Sequence, residues 1–336
     1  MNPRCEKRRT YYILGFYLIC LLIPGALQGQ SAGQAEPDTS VRTLAEKNIS
    51  ADTVLPSSGT SGINKKRLTG VLAVQGALYV ASVTGLYFAW YKDYPQSSFH
   101  LFNDADEWMQ VDKCGHTVTA FYISRIGYST YRWAGVTEKK AAWYGGLLGF
   151  AYLLNIEILD GFSTEWGFSP GDLAANTLGS LVFIGQQLAW HEQRFSLKYS
   201  FHQTGYAQYR PELLGNNLIQ QMLKDYNGQT YWLSGNISSF LHKGSRFPGW
   251  FNIAIGYGAE GMTGARYNAT GQTGATIPGF ERYRKFYLSV DVDLTRIPVK
   301  SSFLKGLFAA LSFIKIPAPA LEFNTLGQIK FYPCYF

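Results

Sequence analysis

Near Gln193 the hydrophobic period of this chain changes, and that change limits its fold more than any other feature. From Arg67 to Gln193 apolar residues recur with helical spacing; beyond it they alternate. Phe195, Leu197, Tyr199 and Phe201 face one way, and Ser196, Lys198, Ser200 and His202 the other. Phe251, Ile253, Ile255 and Tyr257 alternate with Asn252, Ala254, Gly256 and Gly258 in the same manner. Phe286, Leu288, Val290, Val292 and Leu294 repeat the pattern, and Tyr231–Ile237 and Leu321–Tyr335 carry it more weakly. Asn216–Tyr226 and Ser301–Phe313 look helical between the strands. The chain is therefore expected to be α+β, with a helical core over 67–193 and an antiparallel, Tyr-rich β region with intervening helices over 194–336. Two forms of that β region are open. One is a partial sheet packed on the helices. The other is a complete outer-membrane-type barrel, suited by apolar-out alternation and the terminal Phe336. About five strands can be counted, fewer than the eight at which single-chain barrels start, and Pro333 disfavours pairing in the last.

Four helices are expected in the core. Leu68–Tyr91 has no charged residue and is long enough to cross a bilayer. Gly70, Gln75, Gly76, Ser82, Thr84 and Gly85 within it also admit a buried core helix. The others are Asp112–Trp133, Lys139–Ile158 and Pro170–Trp190. Ser169 at the N-cap and Pro170 at the first helical position start the last one, with Asp172 in its first turn. Gly145, Gly146, Gly149 and Gly179 permit close helix approach.

The N-terminus has the form of a secretory signal over 1–29. Arg4, Lys7, Arg8 and Arg9 precede the apolar run Tyr11–Ile23, which Pro24 and Gly25 break. An uncleaved anchor is the alternative. Bulky Tyr17, Leu18 and Ile19 before Cys20 do not fit a lipoprotein cleavage site. Residues 30–66 lack an apolar period and are expected to be a flexible tether. After cleavage, Lys65, Lys66 and Arg67 would lie on the exported side, against the positive-inside rule. Either the signal is retained or Leu68–Tyr91 is not an ordinary inner-membrane span. Cys114 and Cys334 could form one disulfide or remain two thiols.

Polar residues on the helices fall at one-face spacing. Asp112 and His116 are four apart with Lys113 beside them, Glu157 and Asp160 three apart, and Asp172 and Asn176 four apart. Antiparallel packing would bring the start of one helix, the end of the next and the start of the last to a common end. The loop bearing Ser163 and Trp166 would cover the resulting pocket. The expected binding residues are thus Asp112, Lys113, His116, Glu157, Asp160, Ser163, Trp166, Asp172 and Asn176. In an acid–base reading Glu157 or His116 moves a proton and Lys113 stabilises an anion. In a structural reading the same groups form a satisfied network that fixes helix register. A single histidine is poor support for a transition-metal site, so no metal is expected, and no cofactor.

The run Asp112-Lys113-Cys114-Gly115-His116 resembles the D-K-x-x-H motif of the YfiM-like family of predicted periplasmic lipoproteins. Glu157-Ile158-Leu159-Asp160-Gly161 and Trp166–Gly179 resemble its second half, so the likeness covers about Phe99–Trp190. The same residues are more distantly similar to VanZ-like membrane proteins, and the whole chain resembles a longer exported version of Bacteroidetes type. The resemblance implies an envelope protein and supplies candidate residues without a reaction.

Composition agrees with an envelope setting. Aromatic residues make up 16% and charged residues 16%, against about 25% charged in soluble domains. The net charge of +7 rests partly on the N-terminal segment, and the remaining basic residues are scattered. Nucleic acid is therefore not an expected partner. No P-loop, dinucleotide fingerprint, HExxH or GxSxG motif occurs. Asp225–Trp232 is expected to be a turn into a strand. Its aromatics could bind a sugar or lipid, form an interfacial belt, or pack in the core. The expected protein is exported to the envelope, with the outer membrane or a periplasm-facing membrane favoured and the inner membrane open. Its expected role is to bind an envelope lipid or glycan, or to support envelope assembly. A membrane-embedded hydrolase or transferase acting on an envelope lipid, and a purely structural protein, are the alternatives.

Overall fold

The computed structural model describes residues 62–92, 95–164, 166–242, 244–268 and 277–336. The expected signal and nearly all of the tether lie outside them. Five helices come first: α1 (Lys65–Leu86), α2 (Val111–Trp133), α3 (Glu138–Gly146), α4 (Leu148–Gly161) and α5 (Pro170–Trp190). Asn64 caps α1 by accepting from the Arg67 N–H, and Ser169 caps α5 by accepting from the Asp172 N–H. The single helix expected over Lys139–Ile158 is divided at Leu147.

Glycine explains how closely the helices pack. A Cβ on Gly145 would strike the backbone of Gly127 and Tyr128, one on Gly149 the Ala120 carbonyl, and one on Gly179 the Thr117 carbonyl. Helix α2 is thus held backbone to backbone between α3–α4 and α5. Phe121, Phe183 and Ile184 fill the core beside it. Among the described residues α1, and Glu138–Gly161 taken together, are long and apolar enough to cross a membrane. Helix α1 is mostly exposed, with Leu72, Val74 and Val80 uncovered.

The β region is a six-stranded antiparallel meander: β1 (Phe195–Phe201), β2 (Gln229–Asn236), β3 (Phe251–Glu260), β4 (Tyr283–Val292), β5 (Ala318–Asn324) and β6 (Ile329–Tyr335). Helix α6 (Leu218–Lys224) precedes β2, and α7 (Ser302–Leu311) lies between β4 and β5. The weak candidate Leu321–Tyr335 is two strands joined by a turn. Pro333 sits in edge strand β6, beside an irregularity in its register with β5.

The sheet is open, and a complete barrel is not formed. Strand β1 keeps a free edge except for a short bridge, in which the Tyr199 N–H donates to the Phe313 carbonyl and the Lys315 N–H to that of Tyr199. The sheet is nevertheless strongly curled. Tyr335 on β6 exchanges a 2.9 Å hydrogen bond with Thr230 on β2, four strands away. In a flat sheet those strands would stand about 19 Å apart.

Its two faces are assigned opposite to those of a water-soluble sheet. The inner face buries Lys198, Lys285, Asp291 and Glu322. Lys198 pairs with Asp291 at 2.6 Å, Ser234 donates to Asp291 at 2.6 Å, and Tyr287 donates to Glu322 at 2.8 Å. The outer face is apolar. Leu197, Tyr199, Tyr231 and Tyr257 pack on the helical core, where the Tyr122 hydroxyl donates to the Leu197 carbonyl at 2.7 Å. Many of the remaining outer residues, including Ile255, Phe286, Leu288, Val290 and Phe331, are exposed.

Cys114 and Cys334 are free thiols. Tyr226, Tyr231 and Trp232 are buried, so the aromatics of the Asp225–Trp232 turn are core and not a ligand platform.

Gly179→Ala places a methyl group on the Thr117 carbonyl and is expected to destabilise the helical core by about 1–3 kcal/mol. Denaturant melts check this, and an unchanged midpoint would contradict the packing described.

Candidate functional site

Antiparallel packing does gather the polar positions at one end of the helices. Asp112, Lys113 and His116 come from the first turns of α2, Glu157 and Asp160 from the last turn of α4, and Asp172 and Asn176 from the start of α5. Asp112, Glu157, Asp160, Asp172 and Asn176 are all buried.

Lys113 is the hub. Its Nζ lies 2.7 Å from Asp104 Oδ1, 3.0 Å from Asp112 Oδ2 and 2.7 Å from Asp172 Oδ1. Burial alone would lower the ammonium's pKa. The charges of Asp112, Asp172 and Asp104 outweigh it and hold the pKa above the ordinary lysine value. A Cβ on Gly171 would stand 3.1 Å from Lys113 Cε, which favours glycine there.

His116 stands next to this hub. Its Nδ1 is 3.0 Å from Asn176 Oδ1 and 3.9 Å from Glu157 Oε1, and its Nε2 is 3.6 Å from Asp172 Oδ1. Glu157 also accepts from the Ser169 N–H at 3.3 Å. Two groups bring three ligand atoms within 4.8 Å of one another: His116, Glu157 and Asp172, and Asp104, Asp112 and Asp172.

Asp160, Ser163 and Trp166 are drawn toward α1. Asp160 accepts from the Tyr91 hydroxyl at 2.7 Å, Trp166 packs edge-on against the Tyr91 ring, and the Ser163 N–H donates to the Asp160 carbonyl. The loop over the centre is laced to residues 97–102. Ser97 donates to Phe162, Phe102 to Phe168, and Phe168 to His100.

Three participants were not expected from the sequence. Asp104 lies in a loop with no periodicity to mark it. Ser169 was legible as a helix cap, but it also donates to Asp104 at 2.5 Å. Tyr91 was read only as the end of an apolar run.

The entrance to α2 is itself constrained. Trp108, Met109 and Gln110 have φ of 48°, 50° and 64°, a left-handed turn that L-residues adopt at about 1–2 kcal/mol each. The sheet holds it in place. Arg284 donates to the Met109 carbonyl at 3.0 Å and to Gln110 Oε1 at 2.7 Å, and Tyr257 donates to the Met109 carbonyl.

No activated nucleophile is evident among the described residues. The Ser169 hydroxyl is committed to Asp104 and to the cap of α5. Burial, with Asp112 adding to it, pushes the Cys114 thiol up to about 12.

Residues 101–184 match the profile of a family described as predicted periplasmic lipoprotein (DUF2279). The matched segment is about a quarter of the chain and contains every residue of the centre except Tyr91. It supports an exported, envelope-associated protein and names no activity. No curated protein and no solved structure matches the chain.

Lys113→Met leaves three buried carboxylates without their shared ammonium and is expected to lose about 3–5 kcal/mol at neutral pH. Because folding raises this pKa, the stabilisation is complete below the ordinary value of about 10.4 and is lost as pH rises through the higher folded value. Wild-type stability should therefore fall above about pH 10.4 along a limb that the variant lacks. Urea melts of both proteins across that range test it, and parallel profiles would count against it.

Proposed function

We propose that this is a membrane-seated envelope protein that binds the polar head of an envelope lipid or glycan at the Lys113–His116 centre. The arrangement of that centre carries the reading. Four buried carboxylates, Asp104, Asp112, Glu157 and Asp172, stand behind two partly exposed groups whose side chains are 14% (Lys113) and 21% (His116) accessible. Carboxylates accept hydrogen bonds from hydroxyl and amine groups. Lys113 is already shared by three of them, which disfavours a bare phosphate. Sugar hydroxyls or an amine-bearing head group suit the site better.

Two features support a membrane seat. One is the apolar, exposed outer face of the sheet over a buried polar interior, the pattern of a lipid-facing surface. The other is α1, most of whose apolar side chains are uncovered. The YfiM-like and VanZ-like resemblances agree with an envelope role for the centre. A membrane-embedded hydrolase or transferase is the second reading, favoured by the 3.6 Å approach of His116 to Asp172. The engagement of Ser169 and Lys113, and the raised pKa of the Cys114 thiol, speak for binding over turnover.

Native mass spectrometry of protein extracted from its own envelope in mild detergent tests the binding. Wild-type protein should retain an envelope lipid or glycan. His116→Ala and Glu157→Gln should lose it while their circular dichroism stays unchanged, and retention by both folded variants would overturn the reading. For the seat, Ile255→Asp and Leu288→Asp should reduce recovery in the membrane fraction. At the midplane of a lipid face a charge costs about 2–4 kcal/mol for Arg or Lys and less for Asp, whereas water-facing substitutions stay within about 0.5 kcal/mol. Unchanged recovery and stability would place that face in water.

A further inference from the structure

We propose that His116, Glu157 and Asp172 hold a divalent metal ion, and that Asn176 donates to an oxygen ligand of that ion. The inference rests on the reading of this centre as the binding site and names what it binds directly.

The two groups with metal-ligand spacing share Asp172 but differ in one respect. Between Asp104, Asp112 and Asp172 stands the ammonium of Lys113, at 2.7, 3.0 and 2.7 Å. That position already has a cation built into the chain. The second group, on the other side of Asp172, has an imidazole in place of a third aspartate.

The orientation of His116 points to a cation there. With Nδ1 donating to Asn176 Oδ1 at 3.0 Å, the Nε2 edge of the ring is left to face Asp172 Oδ1 at 3.6 Å. An ion between that nitrogen and the carboxylate would be ligated by both. A ligating histidine whose other nitrogen donates to an oxygen is also the usual way a protein fixes such a ring.

Asn176 supplies the independent observation. It is 0% exposed, and its Nδ2 has no hydrogen-bond partner among the described residues. The same amide is fixed against His116 through Oδ1, so the idle donor lies beside the imidazole. A buried donor of this kind is expensive to leave unmade. Water or hydroxide on the ion, or an oxygen of the head group, would accept from it.

The donor set indicates the metal. One imidazole nitrogen with two carboxylates suits Mn²⁺ or Zn²⁺ better than soft, thiolate-seeking ions or all-oxygen Mg²⁺. The lone histidine that made a metal unexpected from the sequence is sufficient once two carboxylates from different helices complete the set. Partial exposure of His116 provides a way in.

The test uses full-length protein in detergent, stripped with a chelator and titrated with Mn²⁺ or Zn²⁺ alone by calorimetry. One ion per chain should bind, with nitrogen hyperfine coupling in the Mn²⁺ resonance spectrum. His116→Ala should abolish that coupling and the binding. Asn176→Ala should weaken affinity by about 10- to 100-fold, as loss of an outer-shell partner does. Lys140→Gln, on the exposed start of α3 and outside the centre, should bind as wild type. Folding is checked by circular dichroism, and partly exposed His116 gives a variant expected to fold even if Glu157→Gln does not. Failure of folded wild-type protein to bind either ion, or binding indifferent to His116→Ala, overturns the proposal. Head-group retention by the stripped protein is measured in parallel. If it persists where no ion binds, the metal assignment alone falls; if ions bind but no head group is retained, the head-group reading alone falls.

Discussion

The ammonium of Lys113 joins three carboxylates that reach it from different stretches of chain. Asp112 is its helix neighbour, Asp172 opens α5, and Asp104 belongs to the loop before α2. Removing any of these charges from water is expensive, and a shared ion-pair network offsets that expense only in one arrangement of the helices. The hub therefore sets how the start of α2 meets the start of α5. Glycines at 145, 149 and 179 then let the backbones close to contact. His116, Glu157 and Asn176 are positioned as a consequence of that geometry.

The β region bears on the same end of the molecule. The left-handed turn Trp108–Gln110 directs α2 into the centre, and Arg284 and Tyr257 from the sheet hold it. The sheet has a polar interior of its own, with Lys198 against Asp291 and Tyr287 against Glu322. Its curl brings β6 back to β2 and seals these charges from solvent without closing a barrel. An interior satisfied by polar pairs leaves the apolar side chains to face outward, where only part of them finds the helices.

Much of this was legible in the sequence because it is periodic. Alternation at Phe195–Phe201 and Phe251–Tyr257 identified strands, and Ser169-Pro170 fixed the start of α5. The expectation that helix ends would gather Asp112, His116, Glu157 and Asp172 followed from spacing and antiparallel packing alone. Asp104 was not legible, because a loop residue gains its partners only through tertiary structure. The division at Leu147 was hidden by a continuous apolar run. The open sheet was left undecided because closure depends on strand number and curl, and the turn between β5 and β6 was masked by a weak pattern. The aromatics at Tyr226, Tyr231 and Trp232 gave no sign of burial in their spacing.

The account holds that the acidic end of the helical core is a binding centre and not only a device for helix register. The most direct measurement is an experimental structure of the protein purified from its own envelope, at a resolution that separates protein from ligand density. The account predicts non-protein density in contact with His116, at the partly open side of the Lys113 hub. A centre closed by protein atoms alone, with His116 and Asn176 bonded only to neighbouring side chains, would contradict it and leave the cluster a structural network.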